Sequence, residues 1–349
     1  MSGSGVSILG IGCVTPLGRD WEAAWGKICE GARPDLEMLE GPPGFPSAGV
    51  FKTALPDVPA GAAARLRRSS AISYFSCAAA ADAVQQSGPL PEGRTALIFA
   101  ASNGAVVYTR RFYADVVTRG SGSPLLFPET VYNAPASHVA AMLGLDGAVL
   151  TLVSDATSGM SALGTAADLL QAGAADRCLV VGAEELDWIS WEGYRRWKFA
   201  ATHATSGEGA ILSEGAVALV LGPSDTSHVQ IERVHPGKTL LRRSSAHRTL
   251  RNLLQELVGA DSPDLAVLSA SGTRPGRIEE SVVSREFPDI RLLTPKKITG
   301  EAFAASTLLQ CLCAWQEIRQ NKAAKVLVPV LGWGGQAGGA LLAAPGSER

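Results

Sequence analysis

At 349 residues and 46% hydrophobic composition, the chain can bury a sizeable core, in one large or two ordinary domains. Lys plus Arg (31) nearly balances Asp plus Glu (33), the formal net charge is −2, and no run of like charge stands out, which excludes the electrostatic footprint of a nucleic-acid or membrane-surface binder. The six cysteines lie mostly in apolar segments with no C-x-x-C pair, so no zinc site, metal or disulfide framework is expected, and the compartment reads as a reducing cytoplasm.

In chain order, "MSGSGVSILGIGCVTPLG" has no basic n-region and is broken by glycines, so it does not read as a signal peptide, and no later apolar run reaches spanning length. Its glycines lack the third glycine of a dinucleotide fingerprint and Pro16 interrupts the helix start, so it reads as a structural turn, with no cofactor. Cys13 there, and Cys178 further on, read as small core residues. A proline- and glycine-rich stretch over residues 30–61 reads as a surface loop. His138, in the predicted helix "ASHVAAMLG", reads as an interior or interface histidine.

The middle of the chain is more informative. "AVLTLVSDATSG" predicts a buried strand and a tight turn, followed by a helix over about 158–172, a strand at "RCLVVGAEE" and another at "EGAVALVLG". The helix is apolar on most sides, with Met160, Leu163, Ala166 and Leu170 among its residues, and is expected between two sheets. "LLRRSSAHRTLRNLLQELV" predicts one amphipathic surface helix. The grammar then repeats: "DLAVLSASGT", a helix near Ile278, a helix through "AFAASTLLQCLCAWQEIRQ", and two strands around "GWGGQAGG". The glycines of that last turn read as a tight connection lining a pocket. Strands without clean alternation, separated by helices, predict sheets covered on both faces, an α/β layered fold built from two duplicated halves, 1–222 and 223–349.

Seven segments in order resemble the β-ketoacyl synthase family of the thiolase-like superfamily: "LGIGCVTPLG", "FPETVYNAPASHVAAMLGLDG", "SDATSGMSALGTAADLLQAGAADRCLVVGAEE", "GEGAILSEGAVALVLG", "SASGTRPGRIEE", "PKKITGEAFAAS" and "GWGGQAGGALL". The resemblance implies a layered α-β-α-β-α sandwich and, by class, an acyltransferase. It also implies a cysteine at the elbow, where a thiolate at a helix N-terminus accepts an acyl group. Here that position is Ala156, and the two positions of the family's histidines fall on Ser271 and Glu301. The last of the five histidines is His247, so no small shift of alignment restores either. The family's lysine falls on Lys296, with Lys297 beside it as the alternative. Met160, Trp333 and Gly334 are candidates to line the vestigial pocket. The chain is short for the family, chiefly between "EGAVALVLG" and "SASGT", in regions that help cover the acyl tunnel.

The expectation is a non-condensing, chain-length-factor-like subunit, inactive alone, that pairs as a heterodimer with an active ketosynthase in polyketide, polyene or fatty acid assembly, with acyl carrier protein as a further partner. The resemblance places "DRCLVVGAEE" at or near the two-fold axis of such a dimer. A second expectation is repurposed acid/base chemistry on a carrier-bound acyl chain by Asp155 and Glu301, as a hydrolase, cyclase or dehydratase. Against it stands a structural role: Asp155 capping the following helix, and Glu301 pairing with Lys296 or Lys297. A homodimeric scaffold that only binds acyl carrier protein is the third expectation.

Overall fold

The computed structural model describes residues 5–46, 48–201, 208–225, 227–240 and 243–346, so the starts of "MSGSGVSILG", "GEGAILSEG" and "LLRRSSAHRTL" lie partly outside the described residues. In chain order the elements are β1 (Val6–Val14), α1 (Trp21–Glu30), β2 (Glu37–Met38), β3 (Gly49–Val50), α2 (Ala60–Leu66), α3 (Ala71–Ser87), β4 (Thr95–Ala101), α4 (Val106–Arg119), α5 (Ala134–Leu143), β5 (Val149–Val153), α6 (Ser158–Gln171), β6 (Arg177–Glu184), α7 (Trp188–Arg196) and β7 (Gly215–Pro223). There follow β8 (Gln230–Thr239), α8 (Ala246–Val258), β9 (Leu265–Val267), α9 (Arg274–Glu286), β10 (Arg291–Leu293), α10 (Lys296–Thr299), α11 (Phe303–Arg319), β11 (Lys325–Leu331) and β12 (Gln336–Ala343).

Ten strands hydrogen-bond in the order β10-β9-β11-β12-β8-β1-β7-β6-β4-β5. From the middle outwards the two sides have one plan: β1-β7-β6 is antiparallel and β6-β4-β5 parallel, while β8-β12-β11 is antiparallel and β11-β9-β10 parallel. Among the described residues the sides pair at Val6↔Ile231 and Ser7↔Gln230, with the Ile8 N–H donating to the Val229 carbonyl at 2.9 Å, so they act as two five-stranded sheets that share a short seam.

Helices α6 and α11 fill the space between the sheets. α6 packs on β4, β6, β8 and α11, and α11 packs on β6, β7 and β11. Every residue of α11 before Arg319 is buried, which is why its sequence shows no polar face. The two helices approach closely because Gly159 has no side chain: a Cβ there would press on Thr307 of α11. α3 covers β1 and β7 on one outer face, and α8 and α9 cover β12 and β11 on the other, completing an α-β-α-β-α sandwich.

Three expectations are corrected. β5, expected as a buried strand, is the outer strand of the sheet, paired with β4, and Val149, Leu150 and Val153 are exposed in the single chain; β6, the strand of "DRCLVVGAEE", lies inside the sheet between β4 and β7. The proline- and glycine-rich stretch is not all loop, since it holds the β2–β3 ribbon and the first turn of α2. The amphipathic surface helix begins at Ala246 rather than Leu240. Among the described residues no helix is long and apolar enough to cross a membrane.

Candidate functional site

The chain leaves β5 at Val153, turns through Ser154–Thr157 and enters α6, so the turn stands at the N-terminus of a helix buried between the sheets. Ala156 is buried at its tip, and its carbonyl accepts a 2.6 Å hydrogen bond from Thr307 Oγ1 of α11. The facing wall is the loop 332–335 between β11 and β12.

Asp155 ties the two together. Its Oδ1 accepts the Thr157 N–H at 3.0 Å and lies 2.8 Å from Thr157 Oγ1, while Oδ2 accepts the Gly334 N–H. It therefore acts two residues ahead of a true cap, because the helix N-cap is Thr157 itself. Gln336 adds a second tie, its Oε1 lying 2.9 Å from Ser154 Oγ and 2.7 Å from Thr157 Oγ1.

Glu301 follows the short helix α10, and Lys296 begins that helix, so one tight turn brings them together. Lys296 Nζ donates to both Glu301 oxygens at 2.9 Å, and the Phe303 N–H donates to Oε1 at 2.9 Å. Lys297 is exposed, which settles which lysine enters the site. Burial pushes the Glu301 carboxyl up; the Lys296 charge opposes this and the Asp155 charge adds to it. Phe303 has φ +43°, a left-handed conformation that is strained for an aromatic residue, and it directs the N–H onto Glu301.

Ser271 is buried on the turn after β9, and its hydroxyl has no hydrogen-bond partner among the described residues. Met160 is fully buried on α6 in the same apolar cluster as Ala156. Trp333 stacks on Phe199 at 4.8 Å between ring centroids and meets Tyr194 and Phe303 edge-on at 5.4 and 5.0 Å, which makes an aromatic group beside the glycine loop.

Sequence reasoning missed three members. Glu184, at the end of β6, accepts the N–H groups of Ser102 and Asn103, and burial pushes its carboxyl up to about 8. Glu279 accepts from the Ser269 and Leu331 N–H groups and is pushed up to about 7 by burial. Tyr194 donates its hydroxyl to Asn103 at 3.0 Å. The doublet Glu184–Glu185 in an otherwise apolar strand was the available signal, since a carboxylate there requires dedicated donors.

Chemically the site has no strong nucleophile at its elbow. Cys13 and Cys178 are buried, and desolvation pushes both thiols up to about 12, so neither supplies a thiolate. His138 is remote in role: its Nε2 lies 3.0 Å from Glu129 and 3.0 Å from Ser69 and ties α5 to neighbouring segments. Among the described residues no group of three or more His, Cys, Asp or Glu is placed to hold a metal ion.

Comparison with known proteins bears on this geometry. Residues 52–227 match the family described as the β-ketoacyl synthase N-terminal domain. Nodulation protein E of Rhizobium meliloti (strain 1021) is 26% identical over 359 aligned residues, covering 89% of this chain and 86% of that protein. A β-ketoacyl synthase from Burkholderia phymatum STM815 superposes with a TM-score of 0.83 at 19% identity, over 98% of this chain and 99% of its own. The ishigamide ketosynthase/chain length factor does so with a TM-score of 0.81 at 19% identity, over 98% of this chain and 100% of its own. At such identities the superpositions speak for the fold alone. With half the chain matched by the family and the sandwich complete, this protein belongs to the β-ketoacyl synthase family.

Proposed function

We propose that this chain is a non-condensing ketosynthase-like subunit that pairs with an active, cysteine-bearing β-ketoacyl synthase and completes the wall of that partner's acyl tunnel. The observation that carries the reading is the state of the elbow. Ala156 cannot accept an acyl group, and the position that the resemblance gives to a family histidine holds Glu301, bonded to Lys296 and the Phe303 N–H, rather than an imidazole. Stabilising the carbanion of a decarboxylated extender takes positive or hydrogen-bond-donating groups, and a carboxylate there opposes it. Ala156, Ser271 and Glu301 thus mark a vestigial pocket, with Met160, Lys296, Trp333 and Gly334 around it.

The free edge of β5 supports pairing. Val149, Leu150 and Val153 are 40, 38 and 47% exposed on a strand with one unbonded edge, a surface that a second sheet edge would cover. A protein of the same fold is named a ketosynthase/chain length factor, in line with such a role. In this reading the chain consists of two halves that meet at 222/223, works in the cytoplasm, and serves polyketide or fatty acid assembly on acyl carrier protein.

Native mass spectrometry of this chain co-expressed with candidate ketosynthases tests the reading. A one-to-one heterodimer is expected, with the partner condensing only in its presence. A stable homodimer that ignores every ketosynthase overturns it.

A second reading has its own observation: Glu301 carries a raised carboxyl within the field of Asp155. If that group does acid/base work on an acyl chain, the isolated chain is active, and Glu301→Gln, assayed at a temperature where circular dichroism shows it folded, abolishes the activity.

A further inference from the structure

We infer that a cleft at the far end of α11 binds a small monocarboxylate with an apolar body. This inference does not rest on the pairing reading. α11 begins at Phe303, whose N–H bonds Glu301, and runs for seventeen residues, about 25 Å, to Arg319, so the cleft and the vestigial pocket lie at opposite ends of one buried helix. The cleft has a volume of about 480 Å³, within the range of small-molecule sites. Ile8 of β1 and Val229, just before β8, both line it, and the bond from the Ile8 N–H to the Val229 carbonyl sets it at the seam of the two sheets.

Its lining is divided in character. Val229, Trp315 and Ile318 are buried and give it an apolar floor. Arg319 is exposed, stands over the Trp315 ring at 4.5 Å from the centroid, and has no carboxylate partner among the described residues. Stacking holds the guanidinium above the floor without using its N–H groups. Gln86 gives its side-chain oxygen to the Ile11 N–H at 2.7 Å, which leaves its amide hydrogens for a ligand. Asp225, the carboxylate beside the rim residues Ser227 and His228, is already answered: it accepts the Ser227 N–H at 2.8 Å and lies 3.4 Å from His228 Nδ1. A cation and an amide donor above an apolar floor are complementary to one carboxylate on an apolar body, with its oxygens on Arg319 and Gln86 and its body over Trp315 and Ile318. A cationic ligand meets repulsion from Arg319, and a neutral one leaves its charge unpaired.

Sodium octanoate titrated into the full chain by isothermal calorimetry tests this. One saturable site with a Kd of about 1 mM or tighter is expected. Arg319→Gln should weaken it about tenfold or more, through loss of charge-assisted hydrogen bonds, and 1-octanol, with the same body and no charge, should bind more weakly by a similar factor. No saturable binding to wild type below about 10 mM octanoate, equal binding by the folded variant, or equal binding of 1-octanol overturns the proposal. Octanoate held at the elbow instead is indifferent to Arg319 and gives the second of these results. Should Arg319→Gln fail to fold, Gln86→Glu at an exposed position keeps an acceptor for the Ile11 N–H and exchanges the amide donors for a negative charge. Its affinity for octanoate is expected to fall about tenfold or more, and an unchanged affinity overturns the proposal.

Discussion

Lys296 Nζ stands 2.9 Å from both carboxylate oxygens of Glu301, and both side chains are 1% exposed. Two charges so fully removed from water depend on each other, and removing either strands the other. Glu301→Gln and Lys296→Met are each expected to destabilise the protein by about 3–5 kcal/mol, with the double variant Lys296→Met/Glu301→Met recovering a large part of the loss. Denaturant unfolding of the three variants measures this, and simple addition of the two losses would show that the pair is not coupled.

Stability is expected to fall as pH rises from about 5 to 8. Glu184 and Glu279 hold carboxyls pushed by burial to about 8 and about 7 in the folded state, above the ordinary 4.5. Between those values the unfolded chain has released the protons that the folded chain retains, so each rise in pH favours unfolding until the folded groups also ionise. Each group contributes on the order of 3 kcal/mol across the window. Glu184→Gln cannot titrate, and its denaturation midpoints at pH 5, 6.5 and 8 should lie closer together than those of wild type.

Ala156→Cys is expected to restore a thiol and no condensation. The new thiol gains the helix N-terminus but no imidazole among its described neighbours, and the carboxylate of Asp155 is next to it in the chain. An assay with acyl- and malonyl-carrier thioesters, partner absent, should show no chain extension by the purified variant. Extension by this single variant would remove the basis for a non-condensing role.

Leu150→Lys on β5 is expected to abolish pairing while barely altering the fold. Leu150 is 38% exposed in the single chain, so a lysine there should change monomer stability by no more than about 0.5 kcal/mol. A charge at the centre of a covered sheet edge, by contrast, has no partner and loses its hydration. Native mass spectrometry of the co-expressed variant should show monomers; an intact heterodimer would place the contact elsewhere.

Much of the fold was legible in particular stretches. "AVLTLVSDATSG" and "DLAVLSASGT" each read as buried strand then turn, because runs of β-branched and aliphatic residues end at small, turn-forming ones; both became β-strands, the second buried and the first exposed in the single chain. The absence of a polar face on α6 revealed its place between sheets, while the same place of α11 came from the structure. What these local patterns could not tell was which strand lies at an edge. "VLTLV" and "RCLVVGAE" are equally apolar, yet one ends the sheet and the other is bonded on both sides.

The sequence by itself determined the layered α/β class and the family, because residue type and order are local facts. Only the tertiary structure decided that Glu301 takes Lys296 rather than Lys297, since α10 turns one lysine inward and leaves the other exposed. It alone brought Gly334 onto Asp155, 179 residues away along the chain. Such contacts are set by how the glycine loop lies against the helix start once water is excluded, and a pattern confined to neighbouring residues cannot encode which distant backbone donor a buried carboxylate will meet.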